Sequence, residues 1–166
     1  RLKEYAPFSF TTEETGGIIG NGDITMDWIV HVLKRTVDTQ YRTKADRRHT
    51  FLAGSSMGGL MTLYGLLAYP EVFSRGAALS PSLWIDAEKV KAMIRHARVK
   101  RNTVLYMDYG ALEFADHPHS RSLFAEVSAL LIEKRVLLNS RIVPRGTHCE
   151  ASWEKQIPFF MKTLFE

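Results

Sequence analysis

Short apolar runs alternate with helical patterns along most of the chain, and this alternation restricts the fold more than any other feature of the sequence. The run at 49–54 is apolar and ends in glycine, which is typical of a buried strand. Pro158 lacks a backbone donor, so we expect it to kink or restart the helix that contains it. Similar apolar runs predict strands at 76–80, 103–109 and 138–143, and helical spacing predicts helices at about 25–40, 57–69, 86–98, 118–135 and 151–165.

Strands separated by helices of this length are expected to run parallel and to be joined by right-handed crossovers. The predicted fold class is therefore α/β, with a mostly parallel sheet covered by helices on both faces. We expect a single domain over residues 1–166. A ligand site should form at the carboxyl ends of the strands.

The composition is that of a folded domain, with 45% hydrophobic and 24% charged residues in a chain of 166. No apolar run approaches the roughly 18 residues that cross a bilayer, so we expect no membrane partner. The net charge is +4, but the Lys and Arg residues are interleaved with acids, so we expect no nucleic-acid partner either. The single cysteine, Cys149, excludes an internal disulfide and favours a cytoplasmic location.

The most informative motif is Gly54-x-Ser56-x-Gly58, which lies between a predicted strand and a predicted helix. A serine hydroxyl is a poor nucleophile, so an acyl-transfer enzyme holds it on a sharp, exposed turn next to a base and backbone donors. We expect both glycines to be required because larger residues would clash with the strand and helix. The alternatives are a glycine-rich helix start with Ser55 or Ser56 as N-cap, or a phosphate loop, whose lysine is missing.

This motif is one of several through which the chain resembles a known family over nearly its whole length. The chain resembles the enterobactin esterase-like branch of the α/β-hydrolases, which also includes feruloyl esterases, S-formylglutathione hydrolases and mycolyltransferases. The resemblance implies that Ser56 is the nucleophile and that the Met57 backbone N–H is one oxyanion-hole donor. The motifs are Tyr41-Arg42-Thr43, Asp46-Arg47, Gly54-Ser55-Ser56-Met57-Gly58-Gly59, Leu79-Ser80-Pro81-Ser82-Leu83-Trp84, and Gly146-Thr147-His148 with Trp153.

On this fold the base is a histidine in the loop after the last strand, because the triad follows the chain order serine, acid, histidine. His148 lies in that loop. We expect His31, His49 and His96 to be surface or edge residues.

A second histidine cluster suggests a metal site only weakly. His117 and His119 flank Pro118 next to Asp116, but a loop and helix start explain this cluster better than metal ligation does. We therefore predict neither a metal nor a cofactor.

The acid that orients the histidine should follow the strand that ends near Gly110. The resemblance assigns this role to Glu113. Asp116 is an alternative acid, although it could instead cap the following helix. Asp108 and a Ser-His dyad without an acid also stay open.

Two further residues have candidate roles. Trp84 follows a predicted strand and either lines the substrate pocket or packs in the core, and we weigh the two equally. Cys149 lies next to the base but lacks a base of its own and a strand-turn-helix setting, so we expect it to be a bystander.

The family fold has about eight strands, whereas four are predicted here from the nucleophile strand onward. We therefore expect only the C-terminal part of the fold, with the nucleophile strand as an apolar edge. Its expected partner is an N-terminal fragment or a second copy.

The predicted function is hydrolysis of a small-molecule carboxylic ester through an acyl-enzyme. Siderophore lactones, feruloyl or acetyl-sugar esters and acyl thioesters stay open as substrates. An acyltransferase of the same fold is one alternative, and a non-catalytic binding or assembly subunit is the other.

Overall fold

A four-stranded parallel sheet forms the centre of the molecule, here described from a computed structural model. The structure describes residues 2–12, 16–116 and 119–166, with the backbone alone at residues 12 and 116. Each strand of this sheet is hydrogen-bonded to the strand that precedes or follows it in the chain. These strands are Phe51–Ser55 (β3), Arg75–Leu79 (β4), Val104–Gly110 (β5) and Leu137–Val143 (β6).

Helices connect these strands, as expected for parallel pairing. The α/β class and the four predicted strands are confirmed, with ends that shift by no more than two residues. Short 3-10 helices occur at Arg47–His49 and Leu83–Ile85. The α-helices are Gly22–Trp28 (α1), Lys34–Gln40 (α2), Met57–Ala68 (α3), Ala87–His96 (α4), Glu113–Asp116 (α5), His119–Glu133 (α6), Glu150–Glu154 (α7) and Ile157–Phe165 (α8).

The segment before β3 contains two features that the sequence analysis did not predict. A small antiparallel hairpin pairs Phe10–Thr12 (β1) with Gly16–Ile18 (β2). The helix predicted at 25–40 is present, but a π-helical stretch at Ile29–Leu33 joins α1 to α2. Hydrophobic spacing does not distinguish the wider π turn from an α turn, because both keep apolar residues on one side.

The C-terminal helix is divided at Pro158, as predicted. Helix α7 ends at Glu154, and α8 begins at Ile157 with Pro158 in its first turn. Proline is accommodated there because the first-turn N–H groups have no acceptor within the helix.

Both faces of the sheet are covered, and alternate residues of β4 and β5 point to opposite sides. Ala78, Leu105 and Met107 are buried in the larger core cluster, which includes residues of α3, α4 and α6. A smaller cluster on the other face contains Leu164 of α8. Its strand residues are Ala77, Leu79 and Tyr106, all buried.

Strand β3 forms one edge of this sheet. Its residues are half-buried or exposed, whereas β4 and β5 are almost entirely buried. A groove of about 350 Å³ runs between this edge and the preceding helical segment, and its lining includes Leu33, Val37, Phe51 and Leu52. Within the described ranges, no helix combines the length and apolar character that a membrane span requires.

Candidate active site

Ser56 lies on the sharp turn between β3 and α3. Its φ of 56° places it in the left-handed region, which is unfavourable for a residue with a Cβ atom. Two backbone hydrogen bonds hold this conformation. The Ser56 N–H donates to the Leu79 carbonyl at 2.9 Å, and the Ser82 N–H donates to the Ser56 carbonyl at 3.1 Å.

The two motif glycines contribute unequally to this turn. A Cβ atom on Gly54 would lie 2.5 Å from the Gly58 carbonyl oxygen, so any larger residue there would displace the turn. A Cβ atom on Gly58 would have nothing within 4 Å. The expectation that both glycines are sterically required is therefore wrong for Gly58. A Cβ atom on Gly59 would lie 3.0 Å from the Leu79 carbonyl oxygen, so this third glycine is tightly packed.

The Ser56 hydroxyl is oriented towards a histidine and not towards the helix that follows. Its Oγ lies 2.9 Å from Nε2 of His148 and makes no capping hydrogen bond to α3. His148 lies in the loop between β6 and α7, with 44% of its side chain exposed. The structure therefore brings together the predicted nucleophile and the predicted base.

Glu113 contacts the other nitrogen of the same imidazole ring. Its Oε2 lies 2.7 Å from Nδ1 of His148. Its Oε1 accepts hydrogen bonds from the Gly110 N–H at 2.8 Å and from the Ser80 hydroxyl at 2.7 Å. Burial alone would raise the pKa of Glu113, but the hydrogen bonds from His148, Ser80 and Gly110 outweigh it and lower that pKa below its usual value.

The loops that carry Glu113 and His148 touch through their backbones. A Cβ atom on Gly110 would lie 2.4 Å from the carbonyl carbon and oxygen of Gly146, so neither position has room for a side chain. The Leu112 N–H also donates to the Gly146 carbonyl at 3.0 Å. This close approach brings Glu113 within reach of His148.

The other carboxylates that the sequence left open are placed differently. Asp108 is 1% exposed, and its two carboxylate oxygens accept from the Tyr106 hydroxyl at 2.7 Å and the Ser80 N–H at 3.2 Å. Burial raises the pKa of Asp108. The backbone of Asp116 closes α5, but its side chain lies outside the described part of the chain, as does His117.

Ser56 and His148 open onto a cleft of about 560 Å³. Its described lining combines polar groups, among them Ser56 and His148, with apolar and aromatic side chains, which suits an organic ligand. Met57 contributes its buried side chain to this lining, and its N–H belongs to the first turn of α3, where helix N–H groups have no acceptor within the helix. The apolar and aromatic lining residues are Tyr5, Met26, Ile29, Leu52, Ala53, Met57, Met61 and Trp153.

The tryptophan in this lining is Trp153 and not Trp84. Trp84 lies in the 3-10 helix after β4 and is 45% exposed. Trp153, in α7, packs edge-on against the His148 ring at 4.9 Å between centroids. The sequence analysis named Trp153 within the resemblance but gave it no role in the site.

Two serines near the site were also missed. Ser80 binds Glu113, and the Ser82 Oγ lies 3.4 Å from the Ser56 Oγ. Both serines follow β4 at its carboxyl end, where polar residues gather around ligand sites in parallel sheets. That rule could have identified them as candidates.

His31, His49 and His96 have other partners than Ser56. The His31 side chain is 60% exposed and pairs with Asp27. His49 pairs with Asp46, and His96 contacts the carbonyl of its own helix at Ala92. The expectation that these three are surface residues is confirmed.

The parallel sheet flanked by helices, with Ser56 on the turn after β3, matches the α/β-hydrolase-type fold of the solved structures named below. The family described as "Putative esterase" matches residues 20–161, and the chain belongs to this family.

Individual relatives agree with this assignment. The chain is 35% identical over 78 residues to the iron(III) salmochelin esterase of Escherichia coli. The aligned segment covers 46% of this chain and 19% of that protein. The fold of this chain is similar to that of an IroE-like serine hydrolase from Shewanella oneidensis, with a TM-score of 0.78 and 19% identity. The superposition covers 99% of this chain and 55% of that one. An enterochelin esterase from Shigella flexneri gives a TM-score of 0.70 at 22% identity, covering 86% of this chain and 37% of that one. The chain thus spans about half, or less, of the length of these relatives.

Proposed function

We propose that this chain carries the catalytic residues of a serine hydrolase that cleaves carboxylic esters through an acyl-enzyme. The observation that supports this most directly is the unbroken hydrogen-bonded sequence from Ser56 through His148 to Glu113. Membership of the esterase family supports the same reaction class.

In the proposed mechanism, His148 Nε2 takes the Ser56 proton while Oγ attacks the ester carbonyl carbon. The tetrahedral intermediate then collapses, the carbon–oxygen bond to the alcohol breaks, and the imidazolium returns its proton to the departing alcohol. Glu113 stabilises the imidazolium and keeps the ring oriented. A water molecule, deprotonated by the same imidazole, then releases the acid and restores the Ser56 hydroxyl.

The negative charge that develops on the carbonyl oxygen needs preorganised donors. We assign one of them to the Met57 N–H, because a helix N-terminus favours negative charge and this group follows the nucleophile directly. Metal ions and cofactors have no part in this proposed mechanism.

The substrate is proposed to be a small organic ester whose apolar part occupies the cleft next to Ser56. The iron(III) salmochelin and enterochelin esterases among the relatives favour a siderophore ester over a feruloyl ester or an acyl thioester. Water as the acyl acceptor agrees with the half-exposed His148 side chain, because it is open to solvent at the cleft.

Steady-state hydrolysis by the full-length protein tests the reaction. The substrates would be a catecholate trilactone, a feruloyl methyl ester, a short-chain nitrophenyl ester and an acyl thioester. Acid-quenched samples would be analysed by peptide mass spectrometry, and we expect the acyl group on the peptide that contains Ser56. Hydrolysis that persists in the Ser56→Ala variant, or acylation at another residue, would contradict the proposal.

We also propose that the edge of β3 is covered by a strand from another polypeptide segment or from a second copy of the chain. The half-buried edge and the adjacent apolar groove support this, because exposed regular edges tend to pair with further strands. Light scattering and intact mass of residues 1–166 test it. We expect a complex with a second segment or a second copy, and a monodisperse, active monomer would contradict it.

A further inference from the structure

Ser80 is a buried residue in a strained backbone conformation directly behind the acid. It is 1% exposed, and its φ of 40° lies in the left-handed region. Its N–H is held by the Asp108 carbonyl at 3.0 Å and by the Asp108 carboxylate at 3.2 Å. Strain of this kind persists only where the surroundings fix it, and it is concentrated at functional sites.

The hydroxyl of Ser80 lies between one group that only donates and one that only accepts. The Trp153 Nε1–H donates to it at 3.0 Å, and the Glu113 Oε1 lies 2.7 Å from it. An indole N–H cannot accept, and an ionised carboxylate cannot donate. The Ser80 hydroxyl therefore donates its hydrogen bond to Glu113 and accepts one from Trp153.

Trp153 contacts His148 directly and is linked to Glu113 through Ser80. Its indole N–H reaches Glu113 through Ser80, and its ring packs against His148 with an interplanar angle of 84°. Because α7 follows the histidine loop, these contacts anchor that loop to the end of β4 independently of the Glu113–His148 bond.

We propose that Ser80 and Trp153 are positioning residues for the reaction. They hold one carboxylate oxygen of Glu113 so that the other is aimed at His148 throughout turnover. The inference rests on the proposed function and adds two residues to its machinery.

The first test removes the Ser80 hydroxyl without adding strain. Glycine adopts a φ of 40° readily, so Ser80→Gly adds no backbone strain and should keep the fold, with a lower free energy of unfolding because the Trp153 indole N–H loses its acceptor. We expect kcat to fall by about 10- to 100-fold, because small misplacements of catalytic groups have effects of this size. KM should stay nearly unchanged, since Ser80 is not among the residues that line the cleft in the described part of the chain.

The second test removes only the indole N–H. Trp153→Phe keeps an aromatic ring next to His148 but cannot donate to Ser80. If the two residues act in series, the double variant should be no slower than the slower single variant, which is a non-additive result. Two matched controls should keep wild-type kcat: Ser128→Ala, a buried serine that bonds within α6, and Trp28→Phe, a half-exposed tryptophan of α1.

Steady-state kinetics and thermal unfolding of all these variants decide the question. A wild-type kcat in Ser80→Gly, or independent losses that multiply in the double variant, would overturn the positioning role. Failure of the proposed function is distinguishable, because the wild type would then neither hydrolyse esters nor form an acyl-enzyme at Ser56. Failure of this inference alone leaves both of these wild-type properties intact.

Discussion

The Nε2 of His148 lies 2.9 Å from the Oγ of Ser56, although 92 residues separate them in the chain. Ser56 follows β3 and His148 follows β6, which are the two edge strands of the sheet. Three strand spacings of about 4.8 Å place these edges roughly 14 Å apart. The histidine loop must therefore reach back across β5 and β4, and the contact of Gly110 with Gly146 and the bond from Trp153 to Ser80 lie along that path.

Replacement of Glu113 by glutamine should show how much the reaction depends on the negative charge next to His148. We expect Glu113→Gln to fold but to lower kcat by about 10² to 10⁴, because the amide no longer supports the imidazolium or the correct tautomer. Asp116→Asn, which tests the alternative acid, should keep near wild-type activity. Kinetics with a nitrophenyl ester measure both variants, and a larger loss in Asp116→Asn would contradict the assignment of Glu113.

The depressed pKa of Glu113 gives a pH dependence of stability with a definite sign. A carboxyl group whose pKa is lower in the folded state stabilises the fold above its unfolded pKa, near 4.5, and this contribution is lost as the pH falls through the folded value. The advantage of the wild type over Glu113→Gln in free energy of unfolding should therefore be larger at about pH 5 than at about pH 3. Urea denaturation at both pH values measures it, and an advantage that grows on acidification would contradict the hydrogen-bond pattern.

The two motif glycines should respond oppositely to alanine. Gly54→Ala places a Cβ atom 2.5 Å from a backbone carbonyl oxygen, and we expect it to lower the free energy of unfolding by about 1–3 kcal/mol. Gly58→Ala meets no atom within 4 Å and lies in a helix, so we expect it to be neutral or to stabilise by up to about 1 kcal/mol. Chemical denaturation of the pair measures the contrast, and equal effects would contradict the described turn.

Replacement of Cys149 tests whether its thiol, next to His148 in the chain, acts as a second nucleophile. Hydrogen bonds from the Thr147 hydroxyl and from backbone N–H groups of the following helix lower the pKa of this thiol. Its Sγ contacts Thr147, whereas both nitrogens of His148 are engaged by Ser56 and Glu113. Cys149→Ala should therefore keep kcat within about twofold, because variants away from the reacting groups have small effects. A loss comparable to that of Ser56→Ala would require a thiol mechanism.

The sequence predicted the four strands of the parallel sheet and the turn at Ser56 because both depend on local patterns. Hydrophobic spacing predicted the strands, and Pro158 predicted the break between α7 and α8. The site could be predicted where a chain-order rule or a resemblance existed, as for His148 and Glu113.

The remaining site residues depend on contacts between distant segments. Ser80 and Trp153 are hydrogen-bonded although they lie 73 positions apart in the chain, and nothing in their local sequence requires that contact. Trp84 was considered for the pocket wall because it follows a strand, but the structure places Trp153 there. The π-helical stretch at Ile29–Leu33 was missed because its apolar spacing matches that of an α-helix.

Labelling with a fluorophosphonate tests the central claim most directly, because this reagent reacts much faster with a serine that a neighbouring base has activated than with other hydroxyl groups. The full-length protein and its Ser56→Ala, His148→Gln and Ser128→Ala variants would be treated and digested, and the labelled peptides sequenced by mass spectrometry. We expect stoichiometric label on Ser56 in the wild type and in Ser128→Ala, with none in Ser56→Ala and strongly slowed labelling in His148→Gln. A wild type that stays unlabelled, or a label that persists in Ser56→Ala, would contradict the account.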